Sequence, residues 1–504
     1  MTSNPQQRFL ELWGILADLG YGSAILQWDQ ETYMPPSGGA MRGKILATLT
    51  EIRHAKMVSQ EMADAIEAAA GVAEEGSELA AQVAEAKRQT ERERKIPADL
   101  AKALAEAESN GLMAWQKARA ASDFPIFRDA LAETLHLNRE KAAVLAPDGN
   151  PYDAMLDLYE PGTTEAQLTP MFDELGAVLA PMMAAVAESG VVVDESPAQG
   201  HFDPKQQEAF TKMVAAKMGY DFEGGRLDKT THPFCTTFGN GDVRITWRYQ
   251  EDDIRPALYG VMHEAGHGLY EQGIGPDART PLGHATGLGM HESQSRLWEN
   301  MVGRSEAFWH WAMPHFVEAF PGKAGLDPAT MQRALNTCKP SLIRVEADEA
   351  TYNLHVAARY NIERQLFNGS VGVDDLPELW SQTYQDLLGI RPPSVAEGVL
   401  QDIHWAMGAF GYFPTYTLGN LICAQLFEAA RAELGDLEGQ FAKGEFAPLL
   451  GWLRSNIHDH GRLYSTHALV ERATGKSLSA APLLGHLTGM AERIYGVSLG
   501  ANRG

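Results

Sequence analysis

Residues 252–273 read DDIRPALYGVMHEAGHGLYEQG and contain the pattern HExxH at His263, Glu264 and His267. Residues four apart share one face of a helix, so both imidazoles can reach a single ion. Zinc suits imidazole and carboxylate ligands, and a catalytic zinc leaves one position for water. Glu264, beside the first histidine, can accept a proton from that water. The stretch therefore predicts a helix that carries a catalytic metal site.

The third ligand is expected further along the chain. A histidine six residues after His267 would indicate a metzincin-type site, but that position is Gly273. The segment GLGMHESQSRLWENMVG offers Glu292, which follows His263 by 29 residues, and Glu299 seven residues later. Glu292 is the predicted ligand. Glu299 is either an alternative ligand or a residue that hydrogen-bonds to one of the ligands and orients it.

The surrounding pattern predicts an all-α protein: a large helical body with a deep central groove and a small β-hairpin or sheet beside the active site. Residues 40–145 have apolar residues at helical spacing, interrupted at Pro97 and Pro125. Two β-rich runs, PFCTTF and VRITWRY, flank the turn-forming residues 239–242. The later predicted helices span about 252–273, 289–315, 341–368, 374–389 and 415–434. We expect one domain over 1–504, with helices of about 1–165 as a lid-like subregion.

Composition narrows the classes of function. The chain has 504 residues and a formal net charge of −24, which argues against nucleic-acid binding because phosphate contacts need clustered Lys and Arg. The sequence has three cysteines and no CxxC pair, which fits a reducing compartment and disfavours a cysteine zinc site. No basic segment followed by an apolar run opens the chain, and no uninterrupted apolar run approaches a membrane span. These features predict a cytoplasmic protein with no membrane partner.

Several separate motifs are spread over nearly the whole chain: WDQETYMPP from Trp28, THPF at 231–234, DVRIT at 242–246, HEAGH, HESQSR from His291, IRVEAD at 343–348 and GVLQDIHW at 398–405. Together they resemble the carboxypeptidase Taq family of metallocarboxypeptidases. The resemblance implies an architecture similar to thimet oligopeptidase and angiotensin-converting enzyme. It also implies metal-dependent release of C-terminal amino acids from peptide substrates with broad specificity, a homodimer, and tolerance of Co²⁺ in place of Zn²⁺.

A carboxypeptidase must recognise a free C-terminal carboxylate, which a guanidinium does through paired hydrogen bonds. The segment SLIRVEADEATYNLHVAARYNIE is predicted to place Arg344, Asp348, His355 and Arg359 on one helical face. Periodicity alone equally favours a solvated charged face. The resemblance implies that Arg344 binds the carboxylate, and Asp348 is then the expected salt-bridge partner of Arg344. Arg244 is a second candidate for the carboxylate.

Peptide hydrolysis also needs a donor for the developing oxyanion. The segment QDIHWAMGAFGYFPTYTLGN supplies His404, Tyr412 and Tyr416. By analogy with the thimet oligopeptidase group, Tyr416 is the oxyanion donor, and His404 and Tyr412 contact substrate. Without that analogy, two tyrosines in an aromatic run are more often core. His232 opens the predicted hairpin, where an edge strand can pair with a peptide backbone; the alternative is a simple turn histidine.

Three other functions fit parts of the pattern. An oligoendopeptidase of similar fold would cut inside short peptides with the same metal chemistry. A non-enzymatic protein could use zinc to stabilise its fold, but a structural zinc site usually has four protein ligands and needs no base at Glu264. A helical binding scaffold without metal is the third alternative.

Overall fold

The structure, a computed structural model, describes residues 4–498 and shows a mostly helical protein with one small sheet. The all-α prediction with a small sheet is thereby confirmed. The ends of the predicted 1–504 domain, residues 1–3 and 499–504, lie outside the described residues.

The first part of the chain is helical, and capping side chains or prolines mark many of its helix starts. Pro97 immediately precedes α5 and Pro125 begins α6, as expected from residues that cannot continue a preceding helix. The long helices predicted for 40–145 are confirmed. The bounds are α1 Pro5–Thr32, α2 Gly39–Met57, α3 Gln60–Ala70, α4 Glu78–Lys95, α5 Ala98–Ala121, α6 Pro125–Leu145, α7 Pro151–Leu156, α8 Glu165–Glu188 and α9 Pro204–Met218.

The helices α1–α4 bury an apolar core of their own. Phe9 and Leu16 of α1, Ile66 of α3 and Val83 of α4 belong to this cluster, which is separate from the main core. The main core runs through the rest of the protein and already includes residues of α5 and α6. Helices α5 and α6, which the predicted subregion of about 1–165 also includes, contribute residues to the main core.

The sheet contains the predicted hairpin and one further strand. The strands are β1 Gly225–Lys229, β2 Cys235–Thr237 and β3 Val243–Trp247, in the order β1-β3-β2. β2 and β3 pair in antiparallel fashion, as predicted, and β1 pairs with β3 in parallel. The sequence of β1, GRLDK, lacks β-branched residues, so propensity did not reveal it. Pairing with the central strand β3 holds it in place.

The remaining helices surround the candidate site. Their bounds are α10 Arg255–Glu271, α11 Leu288–Arg296 with a π-helical continuation Leu297–Val302, α12 Glu306–Ala319, α13 Pro328–Leu335, α14 Glu349–Asn368, α15 Leu376–Leu388, α16 Pro414–Leu434, α17 Leu437–Phe441, α18 Ala447–Asn456, α19 Thr466–Thr474 and α20 Ala481–Tyr495. These confirm the predicted helices near 252–273, 374–389 and 415–434.

Two helix predictions were wrong at their boundaries. The predicted helix 289–315 is divided, because Ser305 caps a new helix by accepting a hydrogen bond from the Phe308 backbone N–H. The predicted helix 341–368 begins only at Glu349. Asp348 caps it by accepting from the Thr351 N–H at 2.9 Å, and Arg344 lies outside it in a short 3₁₀ turn. Local capping thus outweighs the helical periodicity in both segments.

Two helices, α1 and α8, have a length and a mean hydropathy of 1.3 that a membrane span also has. Within these apolar windows, 22% of the residues in α1 and 33% in α8 are buried in the protein. Core helices of ordinary globular proteins meet the same criteria, so this finding is weak evidence for a membrane span.

Candidate metal centre

Three helices cross closely enough to bring the predicted ligands together. Helix α10 carries His263 and His267 one turn apart. Gly266 lies where α10 meets α11, and an added Cβ there would lie 2.6 Å from backbone atoms of α11. At Gly419, α16 meets α11 equally closely, and a Cβ would lie 2.5 Å from Cγ of Glu292. The two glycines therefore allow the helices to approach without a side chain between them.

The three predicted ligand side chains converge at this crossing. One ligand atom from each of His263, His267 and Glu292 can be chosen so that all lie within 4.8 Å of one another. Oε2 of Glu292 is 3.5 Å from Nε2 of His263 and 3.4 Å from Nε2 of His267. Ligand atoms bonded to a tetrahedral zinc ion at about 2.0–2.1 Å lie about 3.3 Å apart. The donor set and its spacing therefore fit a zinc-sized cation.

Glu299 lies on the opposite side of the His263 ring. Its Oε2 is 2.8 Å from Nδ1 of His263, so it engages the nitrogen that points away from Glu292. The π-helical continuation of α11 carries Glu299, and such turns often occur at functional sites. Arg296 links the two acids, at 2.7 Å from Oε1 of Glu292 and 3.2 Å from Oε2 of Glu299. Glu299 therefore contacts the His263 ring at the nitrogen that faces away from Glu292.

His267 also makes a contact on the ring nitrogen that faces away from Glu292, through residues that the sequence analysis missed. Nδ1 of His267 lies 2.6 Å from Nδ1 of His291, and Nε2 of His291 lies 2.8 Å from Oε1 of Glu271. If Nε2 of His267 keeps its lone pair for a cation, Nδ1–H must donate to His291, which in turn donates to Glu271. Two features of the sequence could have revealed these contacts: Glu271 follows His267 by four residues on α10, and His291 directly precedes Glu292.

The electrostatic environment leaves His267 and Glu292 in the protonation states that bind a cation, whereas His263 keeps a proton. At His267, burial dominates and lowers the pKa to about 3, so the ring is neutral. Burial opposes ionisation of Glu292, but Arg296 and both histidines hold its pKa well below the usual value. At His263 the charges of Glu292 and Glu299 outweigh burial and raise the pKa to about 9. Ligands must be deprotonated, so a bound cation would release this one proton.

Glu264 is the buried carboxylate beside the metal centre. Its side chain is 7% exposed, and burial raises its pKa to about 7, against the opposing effect of His263. Within residues 4–498 its carboxylate has no hydrogen-bond partner. A carboxylate without a fixed partner, one residue from a ligand, is suited to exchanging a proton.

The aromatic candidates form one group near Glu292. The Tyr412 and Tyr416 rings meet edge to face at 5.4 Å, and the Tyr416 hydroxyl is 3.4 Å from Nε2 of His404. Burial raises the pKa of both tyrosines, and Glu292 adds to this effect in each case. Both phenols therefore remain protonated hydrogen-bond donors. Both side chains are half-buried, so the structure does not bury them as a simple core pair.

Arg344 lies in a buried cluster behind these tyrosines. Its side chain is 5% exposed, its guanidinium lies over the Tyr416 ring at 4.9 Å, and it donates to the Tyr352 hydroxyl at 2.9 Å. Its Nε and one terminal nitrogen donate to Asp402. Three of its five N–H groups are therefore occupied, which leaves two for another acceptor.

The predicted pairing of Arg344 with Asp348 was wrong. Asp348 accepts hydrogen bonds from the backbone of Thr351 and Lys339, and burial raises its pKa to about 6. Arg344 instead pairs with Asp402, which also accepts from Arg359 at 2.7 Å. The predicted shared helical face is also wrong, because Arg344 lies before the start of α14.

Two other predicted residues do not join the centre. His232 is exposed in the bend before β2 and makes no hydrogen bond within the described part of the chain. Arg244, on β3, pairs with Asp242 at 2.8 Å and lies over the Trp28 ring at 4.4 Å. Its guanidinium is thereby held on the sheet, against α1.

Comparisons with known proteins match nearly the whole chain. The model of a family described as "Carboxypeptidase Taq (M32) metallopeptidase" matches residues 14–490. The chain is 43% identical to thermostable carboxypeptidase 1 of Thermus thermophilus, over 97% of this chain and 99% of that protein. It is 37% identical to carboxypeptidase 1 of Bacillus subtilis, with 97% and 98% covered. The crystal structure of an M32 carboxypeptidase from Deinococcus radiodurans has a TM-score of 0.95 and 40% identity, with 98% and 100% covered.

Proposed function

Because the chain belongs to the carboxypeptidase Taq family and is a metallocarboxypeptidase, we propose that it removes C-terminal amino acids of many kinds from peptides. A zinc ion held by His263, His267 and Glu292 serves the reaction, and Co²⁺ can replace it. The observation that carries this proposal is the convergence of two imidazoles and one carboxylate: Oε2 of Glu292 lies 3.5 Å from Nε2 of His263 and 3.4 Å from Nε2 of His267. Glu299 on Nδ1 of His263 supports it, because it leaves Nε2 for the cation.

The chemistry divides between the cation and the protein. When bound, the zinc ion lowers the pKa of a water molecule and polarises the scissile carbonyl. Glu264 accepts a proton from the attacking water and passes it to the leaving amine. Tyr416 donates a hydrogen bond to the developing oxyanion, while His404 and Tyr412 contact the substrate. Edge strand β2 pairs with the peptide backbone, with His232 at its start, which allows many side chains to be accepted.

Recognition of the C-terminus is assigned to Arg344. The two N–H groups of Arg344 that have no acceptor within residues 4–498 suit a carboxylate, and Asp402 and Tyr352 hold the guanidinium in place. The Tyr416 ring lies against the same guanidinium, so the carboxylate and the oxyanion donor would sit side by side. This arrangement supports an exopeptidase rather than an oligoendopeptidase of similar fold.

Substitution of Arg344 by Met tests this assignment. We expect kcat/KM for N-blocked dipeptides with a free C-terminus to fall about 100-fold or more, because two charge-assisted hydrogen bonds are lost. The residual cleavage of the corresponding amidated dipeptides should change little. Arg364→Met is a matched control on α14, since Arg364 pairs with Glu165 instead. If Arg344→Met leaves the ratio of kcat/KM for free-acid to amidated dipeptides unchanged, Arg344 does not bind the C-terminal carboxylate. If the unsubstituted enzyme cleaves both substrates equally, the oligoendopeptidase is favoured.

We further propose that the protein acts on peptides as a homodimer in the cytoplasm, without nucleic-acid or membrane partners. One catalytic domain spans the chain and encloses the groove. The N-terminal helices of about 1–165 act as a lid, and the separate apolar core of α1–α4 supports this role because such a unit can move as one body.

A further inference from the structure

A cavity of about 450 Å³ lies between the N-terminal helices and the catalytic body. Residues of α1, α2 and α4 form one wall, and the segment before α11 together with Arg462 forms the other. Four arginines line this single cavity: Arg53, Arg88, Arg92 and Arg462. Such a concentration is unexpected in a chain with a net charge of −24, so it is not part of a generally basic surface.

The protein itself satisfies these arginines only in part. Arg88 donates to Glu85 through Nε and one terminal nitrogen, while its other terminal nitrogen is buried without a hydrogen-bond partner. Arg462 donates to the Ala285 carbonyl and reaches Glu85 at 3.4 Å. Arg53 is exposed and Arg92 is half-buried, and neither makes a hydrogen bond or salt bridge within residues 4–498. The buried terminal nitrogen of Arg88 is a donor whose lack of a partner is costly, and a ligand that accepts from it would remove that cost.

The nearby carboxylates do not balance this charge. Glu85 is shared between Arg88 and Arg462, and Glu271 is held by His291 at 2.8 Å. Asp157 approaches Arg88 only to 4.0 Å. The groups that remain without a fixed partner are therefore cationic, and they face the same space.

The cavity adjoins the metal centre at His267. His291 lines it and contacts Nδ1 of His267. Tyr159 also lines it and packs edge to face on Tyr412 at 5.0 Å. An occupant would thus lie one side chain away from a proposed metal ligand and from a proposed substrate contact.

We propose that this cavity is an oxyanion-binding site that takes a carboxylate or phosphate group through Arg53, Arg88, Arg92 and Arg462. Guanidinium groups recognise such planar or tetrahedral anions through paired hydrogen bonds. The anion has two possible sources: an acidic side chain of the peptide upstream of the cleaved bond, or a free anion. The first source rests on the proposed peptidase function, whereas the second does not.

The test compares the zinc-loaded wild-type enzyme with the double variant Arg53→Gln/Arg92→Gln. Among the described residues these two arginines have no partner to lose, so folding should be unaffected. Lys87→Gln is the matched control, because Lys87 is also on α4 but pairs with Glu67 and does not line the cavity. The first arm is calorimetric titration with inorganic phosphate. The second is kcat/KM for N-blocked peptides that carry Glu or Gln at the positions before the cleaved bond.

If the anion is free, phosphate binds the wild type and the control, and the double variant binds it at least about tenfold more weakly. If it belongs to the peptide, the wild type and control prefer Glu peptides over Gln peptides, and the double variant loses this preference. The proposal is overturned if the double variant matches the wild type in both arms. If no peptide is cleaved at all, the proposed function fails, but the phosphate arm still decides whether the site exists.

Discussion

Glu264→Gln is expected to lower kcat for peptide hydrolysis by about 10²–10⁴-fold, the usual contribution of a general acid–base residue. The amide has the shape of the carboxylate but cannot accept the proton of the attacking water. Because Glu264 is not among the converging ligand atoms, the variant should keep one metal ion per chain. Steady-state kinetics and atomic absorption on the same preparation measure both quantities.

Glu160→Gln is a suitable control for this experiment. Glu160 is also a buried glutamate whose pKa is raised to about 7 by burial, but it accepts hydrogen bonds from Gly289 and Thr466 instead of facing the metal centre. We expect its replacement to leave kcat within a few-fold of the wild type. Activity of Glu264→Gln within a few-fold of wild type would remove the proposed base.

Glu292→Gln is expected to weaken zinc binding by more than the 10–100-fold that loss of an outer partner causes. The substitution removes the negative charge between two imidazole nitrogens and leaves only two strong ligands. Hydrolysis at limiting zinc should fall in parallel. Competition with a chromogenic chelator measures the zinc affinity directly, without depending on activity.

A matched control is Glu363→Gln. Glu363 is fully buried but accepts from Tyr152, Trp405 and the Gly411 backbone, so its loss should leave zinc affinity unchanged. If Glu292→Gln binds zinc as tightly as the wild type, Glu292 is not a ligand. Glu299 would then be the carboxylate to examine.

Local spacing explains why the convergence of His263, His267 and Glu292 could be predicted. His263 and His267 lie on one face of any helix that contains them, and Glu292 stands in a second helical segment joined by a glycine-rich turn. The hairpin of β2 and β3 could also be predicted, because residues 239–242 contain two glycines, which favour a tight turn. Both glycines have the positive φ that such turns require. These features depend on neighbours in sequence.

The parts that could not be predicted depend on distant partners. Asp402 lies 58 residues after Arg344, and no periodicity links the two. The contact between His267 and His291 requires the close crossing of α10 and α11 at Gly266. The arginine-lined cavity draws on α2, α4 and the segment around Arg462, so only the tertiary arrangement brings its charges together.

The most direct measurement is anomalous X-ray diffraction from crystals of the zinc-loaded protein, recorded on both sides of the zinc absorption edge. One strong peak is expected about 2.0–2.1 Å from Nε2 of His263, Nε2 of His267 and a carboxylate oxygen of Glu292. A fully loaded, active crystal with its only zinc peak elsewhere, or with the ion more than bonding distance from Glu292, would contradict the assigned metal centre.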